Sequence, residues 1–341
     1  MGSKLVGRGA EVAALAGALD ETAGGTGRIV LISGAAGIGK SRLAAEVLAL
    51  ARGRGFTTLE GRAHALHSRL AYAPVVEALR QHLADPELAG GLADLRRLLG
   101  GGAETYSALA EPGLERTRMF DATALLVHRI AERAPVALFI DDLHWADRGT
   151  IELVHYLARA TAGHRILVLA AYRGSEVAGP LSELAVAVRR EHPGGVLDLA
   201  PLSDSAVAEL AGELLGGTPR PELLRGLHER AKGVPLFVTA LVQAAGADPP
   251  RPDLMPVIVR DAVVSQLARL DEPQRRLLEL VSVAGDGSEE LLRAAMPGGG
   301  LRPALRRLIT AGLVTEQAAG RTVIYRVSHP LYAEVAYAEL T

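Results

Sequence analysis

The segment Gly34 to Ser41, GAAGIGKS, constrains this chain more than any other stretch. It fits G-x-x-x-x-G-K-[ST], follows the apolar run Arg28 to Ser33 and precedes the helix-forming RLAAEVLALA. Strand, glycine loop and helix in that order are the setting in which the pattern holds phosphate. Glycines at 34, 37 and 39 permit positive φ and turn backbone N–H groups inward, and a helix beginning near Lys40 adds the positive end of its dipole. Gly34, Ala35, Ala36, Gly37, Ile38, Gly39, Lys40, Ser41 and Arg42 are therefore the expected phosphate-binding residues. Lys40 would reach the β and γ phosphates. The Ser41 hydroxyl would hold Mg2+, a hard cation that keeps oxygen ligands and bridges substrate phosphates.

A second constraint is the apolar run Val136 to Ile140, which ends in Asp141-Asp142. Such a run reads as a buried parallel strand whose carboxyl edge opens on a ligand crevice. Asp141 is placed to bind Mg2+, and Asp142 to orient or deprotonate an attacking water, because phosphoryl transfer needs positioning and charge neutralisation more than covalent help. The run Arg165 to Ala171 is another strand, and Arg173 at its end can sense the γ phosphate through its fork of donors. Asp147 reads as the N-cap of the next helix, and His144 and Trp145 as loop-packing residues. With strands at 55–60 and 196–199 the count reaches five, alternating with helices. That predicts an α/β fold over 1–200: a P-loop NTPase with a parallel five-stranded sheet and helices on both faces.

Beyond Pro201 the strands stop. Amphipathic helices at 203–215 and 221–231, then one running from Pro235 to Ala245, predict a small helical lid domain over 201–247. Residues 246–256, GADPPRPDLMP, read as a stiff linker. Helices at about 257–269, 273–284, 288–295 and 302–311, followed by a hairpin of Leu313–Glu316 and Thr322–Val327, give the order of a winged-helix domain over 248–341. Its candidate recognition helix, Arg302 to Ile309, carries three Arg, and the domain has no Lys, a weak basic field for DNA. Asp85 to Gly113 is broken by glycines and reads as an insertion without assigned chemistry.

Length and composition agree with several soluble domains. At 341 residues the chain exceeds one core, 49% of it is hydrophobic, and its net charge of −2 creates no basic field. The absence of Cys excludes disulfides, thiolate zinc sites and a Cys nucleophile, and fits the cytoplasm, where the chain is expected. No signal pattern and no apolar run of about 18 residues is present, so no membrane partner is expected. The segment Leu331 to Thr341 still reads as helix at its end, which suggests a piece of a longer protein.

Several stretches together resemble a known family: LVGRGAEVAAL at the start, GAAGIGKS, AYAPVVEAL at 71–79, LFIDDLHWAD at 138–147, AAYR at 170–173, KGVPLFV at 232–238 and SHPLYAEVAYAEL at 328–340. They resemble the STAND signalling ATPases, relatives of AAA+ proteins, and in particular the nucleotide-binding part of the large ATP-binding LuxR-type transcriptional regulators. The resemblance covers almost the whole chain. It implies that Val6, Gly7 and Arg8 lie against the adenine and that Asp141 and Asp142 are the Walker B pair. It further implies that Arg173 is the sensor arginine, that Pro235 walls the base pocket and that His329 touches the ADP β phosphate. The chain departs from the family where Gly9 stands after the Gly-Arg pair in place of Glu, so that side chain's role is not carried over.

The implied role is an ATP/ADP-binding switch with slow ATPase activity. ADP would keep it resting, ATP would release it for self-association, an unidentified inducer would drive exchange, and DNA would be bound through a C-terminal domain absent from this chain. The competing expectation is a turnover AAA+-type ATPase that remodels a protein or nucleic-acid substrate. Against it stand Asp142, where such machines carry Glu, and the lack of a second arginine evident as an inter-subunit finger. A scaffold without nucleotide chemistry would have no use for Lys40, Ser41 and Asp141.

Overall fold

Every residue of the strands β3 (Val136–Asp141) and β4 (Ile166–Tyr172) is buried, as is all but the first of β1 (Arg28–Ser33). Apolar strands without alternation need cover on both faces, which helices supply. In the computed structural model, which describes residues 5–64, 71–92, 95, 112–245, 260, 263–264, 267–285, 287–296, 300–319 and 322–339, the chain divides into two units. One holds residues 8–34 and 40–199; the other holds residues 1–7, 35–39 and 200–341.

The first unit is a five-stranded sheet in the order β2-β3-β4-β1-β5, with β2 at Thr57–Arg62 and β5 at Val196–Asp198. Every pairing is parallel. This is the α/β P-loop NTPase fold expected from the strand count. Its helices are α1 (Gly9–Ala23), α2 (Lys40–Gly53), α3 (Ala73–Leu83), the short α4 (Pro86–Ala89), α5 (Pro112–Arg133), α6 (Arg148–Ala160) and α7 (Pro180–Glu191). Ile29, Leu31, Leu138, Ile140, Val168 and Ala170 of the sheet join Leu79, Leu126, Val127, Val154 and Leu157 of the helices in one core cluster. Burying each large aliphatic side chain of this kind is worth roughly 1.5–3 kcal/mol.

Local chemistry sets the boundaries. The helix α1 starts at Gly9, because Arg8 is still non-helical at φ −126°, ψ 24°. The second strand runs two residues later than expected, over 57–62 in place of 55–60. The end of α2 takes the intervening residues: the Phe56 N–H donates to the Ala51 carbonyl at 3.0 Å and the Arg54 N–H to that of Leu50 at 3.1 Å. This shift puts Arg62 at the carboxyl end of β2, in register with Asp141. Asp85 caps α4 by accepting from the Glu87 N–H at 2.9 Å. Most of the glycine-rich stretch to 113 lies outside the described residues.

The second unit is helical up to Ala245, with α8 (Asp204–Leu215), α9 (Pro221–Ala231) and α10 (Pro235–Ala245). The proline-rich 246–256 and most of the helix expected at about 257–269 lie outside the described residues. There follow α11 (Glu272–Ala284), β6 (Gly287–Ser288), α12 (Glu289–Ala295), α13 (Leu301–Thr310), β7 (Val314–Ala319), β8 (Thr322–Val327) and α14 (Pro330–Glu339). Asp271 and Gln274 form a reciprocal capping box at the start of α11. The expected hairpin of β7 and β8 is antiparallel, and the two-residue β6, which no sequence signal announces, pairs with β8 to give the order β6-β8-β7. Among the described residues no helix is long and apolar enough to cross a membrane.

Gly61 lies where α3 crosses β2: a Cβ there would collide with the carbonyl oxygen of Pro74, an atom of the backbone that cannot swing aside. Gly61→Ala is expected to destabilise the fold by about 1–3 kcal/mol through overpacking, read as a lower denaturant midpoint at unchanged slope.

Candidate nucleotide site

The loop that follows β1 has the backbone its glycines make possible. Gly37 and Gly39 stand at φ +72° and +101°, values that a residue with a Cβ adopts only under strain. A Cβ on Gly39 would meet no atom within 4 Å, so the requirement there is conformational. At Gly37 it would come 2.8 Å from the Leu236 Cβ, and the Leu236 N–H donates to the Gly37 carbonyl at 3.2 Å. Pro235 opens α10 beside this contact, so the loop tip Ala35–Gly39 is bonded to the Gly-Val-Pro-Leu stretch within one unit. Lys40, at the first position of α2, is 7% exposed and donates from Nζ to the Gly34 carbonyl at 2.9 Å. A buried ammonium needs oxygen partners, and a phosphate is a stronger one than a peptide carbonyl.

The strand pairing brings the two acids to the same edge. Ser41 Oγ donates to Asp141 Oδ2 at 2.7 Å, and the Asp142 N–H donates to Asp141 Oδ1 at 2.9 Å. Burial, the largest influence, pushes the Asp141 carboxyl above the usual carboxylate range; the Ser41 hydroxyl opposes it and the Asp142 charge adds to it. Hydroxyl and carboxylate in contact are the donor set a hard divalent cation prefers, so Mg2+ fits here. Ser41 and Asp141 would hold it against the phosphates, where it supplies charge neutralisation. Among the described residues no group of three or more His, Cys, Asp or Glu gathers to hold a metal by itself.

Asp142 is not a free base. It sits in the left-handed region at φ 53°, ψ 40°, 8% exposed, and its Oδ2 accepts from Arg62 Nε at 3.1 Å and Nη2 at 2.8 Å. The His144 Nε2 lies 3.9 Å from Asp142 Oδ1. Arg62 is the residue that sequence reading missed. Its signal was available in the register: an arginine ending the strand next to the Asp-bearing one, level with Asp141. Placing that strand at 55–60 hid it.

Arg173 directly follows β4, which lies between β3 and β1 in the sheet, so it emerges between the strand of the two acids and the strand of the phosphate loop. Its guanidinium carbon lies 5.2 Å from the centre of the Trp145 ring, within cation–π range. Asp147 is the N-cap of α6 and accepts from the Thr150 N–H at 3.0 Å. Of the other expected residues, Val6 is buried, and a Cβ on Gly7 would press on Ala206 and Leu202. Arg8 is buried with its Nη1 3.0 Å from Glu11 Oε1, and Arg42 is exposed on α2. His329 is buried in the second unit, where its Nε2 lies 3.0 Å from the Ala231 carbonyl and its Nδ1 accepts from the Leu331 N–H at 3.3 Å. Its ring packs 4.7 Å from that of Phe237.

Residues 4–169 match the AAA ATPase domain family. The match takes in GAAGIGKS, Arg62 and both acids, and stops four residues short of Arg173. A match to an AAA ATPase domain implies nucleotide binding. The chain is 27% identical, over 376 aligned residues, to a protein of Rhizobium meliloti (strain 1021) described as uncharacterized protein R02095. The alignment covers 99% of this chain and 35% of that protein, so the chain spans little more than a third of its curated relative. Among solved structures it is similar to the Walker-type ATPase paby2304 of Pyrococcus abyssi, with a TM-score of 0.61 and 14% identity over 97% of this chain and 96% of that one. A STAND protein with a tetratricopeptide repeat sensor from Pyrococcus horikoshii, 20% identical over 95% of this chain and 42% of its own, scores only 0.36, too low to support a shared arrangement.

The raised carboxyl of Asp141 sets a pH dependence with a defined sign. Its folded-state pKa exceeds the unfolded one of about 3.9, so the folded form takes up a proton first and stability is lost as pH rises through that window. Asp141→Asn is therefore expected to melt above the parent at pH 7, with the difference closing as pH falls below about 4. The same variant should lose the Mg2+ dependence of nucleotide binding.

Proposed function

We propose that the chain is an ATP/ADP-binding switch, a slow ATPase that forms the nucleotide-binding part of a signalling transcriptional regulator of the STAND class. The observation that carries this reading is the grip of Arg62 on Asp142. A general base must be within reach of the attacking water and able to take its proton. Asp142 instead gives its outer oxygen to two donors of one guanidinium, which holds bound nucleotide without rapid hydrolysis. Phosphates would be cradled by the loop from Gly34 to Gly39, neutralised by Lys40 and by Mg2+ on Ser41 and Asp141, and read at the γ position by Arg173.

The hydrogen bond between Leu236 and Gly37 supports a route from the loop outward. A change in loop geometry on γ-phosphate binding would be felt at Pro235 and along α10. Helices α8 to α10 would serve as a lid, and α11 to α14 with the three-stranded sheet as a winged helix. His329, bonded to the end of α9 and packed on α10, would fasten the second to the first. Val6, Gly7, Arg8 and Pro235 would take the base, and in this reading the β phosphate of ADP draws on His329. Exchange for ATP would release a surface for self-association, with an inducer setting the exchange rate and DNA bound through a domain beyond this chain. Such a switch needs only a differential affinity of ATP and ADP for two arrangements.

Nucleotide released on denaturing the purified protein tests the reading directly. Stoichiometric ADP is expected, with turnover slower than about 1 per minute, far below the ~1–10³ per second common among enzymes. Lys40→Ala should empty the site while circular dichroism stays unchanged; retained ADP in that variant would falsify the assignment. Fast turnover in the unmodified chain would point to the remodelling machine instead. Arg62→Gln, which frees Asp142, should raise single-turnover hydrolysis by at least roughly tenfold, a modest part of what a positioned base supplies.

A further inference from the structure

A cavity of about 440 Å3 opens at the carboxyl ends of β2 and β3, walled by Arg62, His64, Pro74, Glu77, Arg80, Trp145, Asp147 and three alanines. Its size is that of a small-molecule site, and it is not the phosphate loop, none of whose residues lines it. Two of its walls contact groups given roles in the chemistry above: Arg62 bonds Asp142, the residue placed to orient water, and Trp145 lies 5.2 Å from Arg173, the residue placed to read the γ phosphate.

The wall chemistry defines what would fit. Arg62 spends Nε and Nη2 on Asp142, yet its side chain is 54% exposed, and among the described residues its Nη1 donors are unclaimed. Arg80 stands exposed on α3 and makes no ion pair among the described residues. Of the two carboxylates in the wall, Glu77 accepts from the Arg62 backbone N–H at 2.9 Å, and Asp147 accepts from the backbone N–H groups of Thr150 at 3.0 Å and Tyr72 at 3.1 Å. Two guanidinium groups with donors to spare select an oxyanion, and their planar forks suit a carboxylate. Beside them the Trp145 ring, Pro74 and the alanines offer a flat apolar wall to the body of the same molecule.

We propose that this cavity is a regulatory site for a small carboxylate with a flat apolar body, whose anionic end shares Arg62 with Asp142 and whose body packs on Trp145. Binding would loosen the hold of Arg62 on Asp142 and shift the ring against which Arg173 lies. The effect on hydrolysis rests on the nucleotide-switch reading; the binding itself does not.

Trp145 is the single tryptophan of the chain and therefore its own reporter. The full chain is titrated with benzoate and phthalate while tryptophan emission is followed, with neutral benzamide and inorganic phosphate as controls. A saturable change is expected for the carboxylates, half-complete at about 1 mM or below, as befits ligands of this few atoms. Arg80→Ala should weaken it roughly tenfold, the cost of one charge-assisted contact, Arg80→Glu should abolish it, and both variants should keep the parent circular dichroism. At saturation the ATP turnover rate should change by about fivefold or more, an ordinary allosteric coupling. The proposal is overturned by no saturable change, by an equal response to benzamide, by variants that bind like the parent, or, in a protein that does turn over ATP, by unchanged turnover. Phosphate acting alone at the same concentrations would overturn the carboxylate assignment in favour of a simple anion site. Lys40→Ala, with its nucleotide site empty, should respond to the carboxylates like the parent; an unmodified protein that holds no nucleotide and yet gives the emission change sinks the switch reading and supports the cavity.

Discussion

The hydrogen bond from Ser41 to Asp141 joins residues 100 positions apart at 2.7 Å, and the site depends on it. It exists because the strands bearing the two motifs are carried in one parallel sheet with β4 between them. A parallel sheet lines up the carboxyl ends of its strands, so whatever follows each strand is delivered to one edge. A glycine loop, two acids and an arginine follow three neighbouring strands here. The apolar strands that make this possible are buried on both faces and carry no chemistry themselves.

At that edge Lys40 and the two acids are bonded to neighbouring side chains and to the backbone. Lys40 leans on the carbonyl of its own loop, Asp141 is partly protected by a hydroxyl and a peptide N–H, and Asp142 is claimed by Arg62. Each contact is one that a bound nucleotide or its cation could displace or share. The left-handed backbone at Asp142 fits this picture. Strained conformations of a non-glycine residue persist only where surrounding bonds over-determine them, and the two bonds from Arg62 do so. Arg62 and Trp145 line the neighbouring cavity and also contact Asp142 and Arg173 respectively.

Much of the fold was legible in order of residues. The five strands, the helices between them, the phosphate loop, the acid pair and the cap at Asp147 all follow from apolar runs, glycine spacing and capping chemistry, which act over a few residues. What was misjudged was local as well: β2 begins later than its pattern suggests, because the end of α2 takes the first residues. The strand β6 carried no signal, since two residues are too few for any periodicity to register. Arg62 went unnoticed because its importance lies in what stands beside it and not in its neighbours along the chain.

The sequence alone therefore determined the kind of sheet, the presence of a phosphate loop and the chemistry available to it, since these depend on side-chain type and short-range spacing. Only the tertiary structure decided the strand order, the pairing of Arg62 with Asp142, the contact of Arg173 with Trp145 and the cavity that both partners border. These features join residues as far apart as Leu31 of β1 and Val196 of β5. They are set by which strands become neighbours and in what register, and no short segment carries that information.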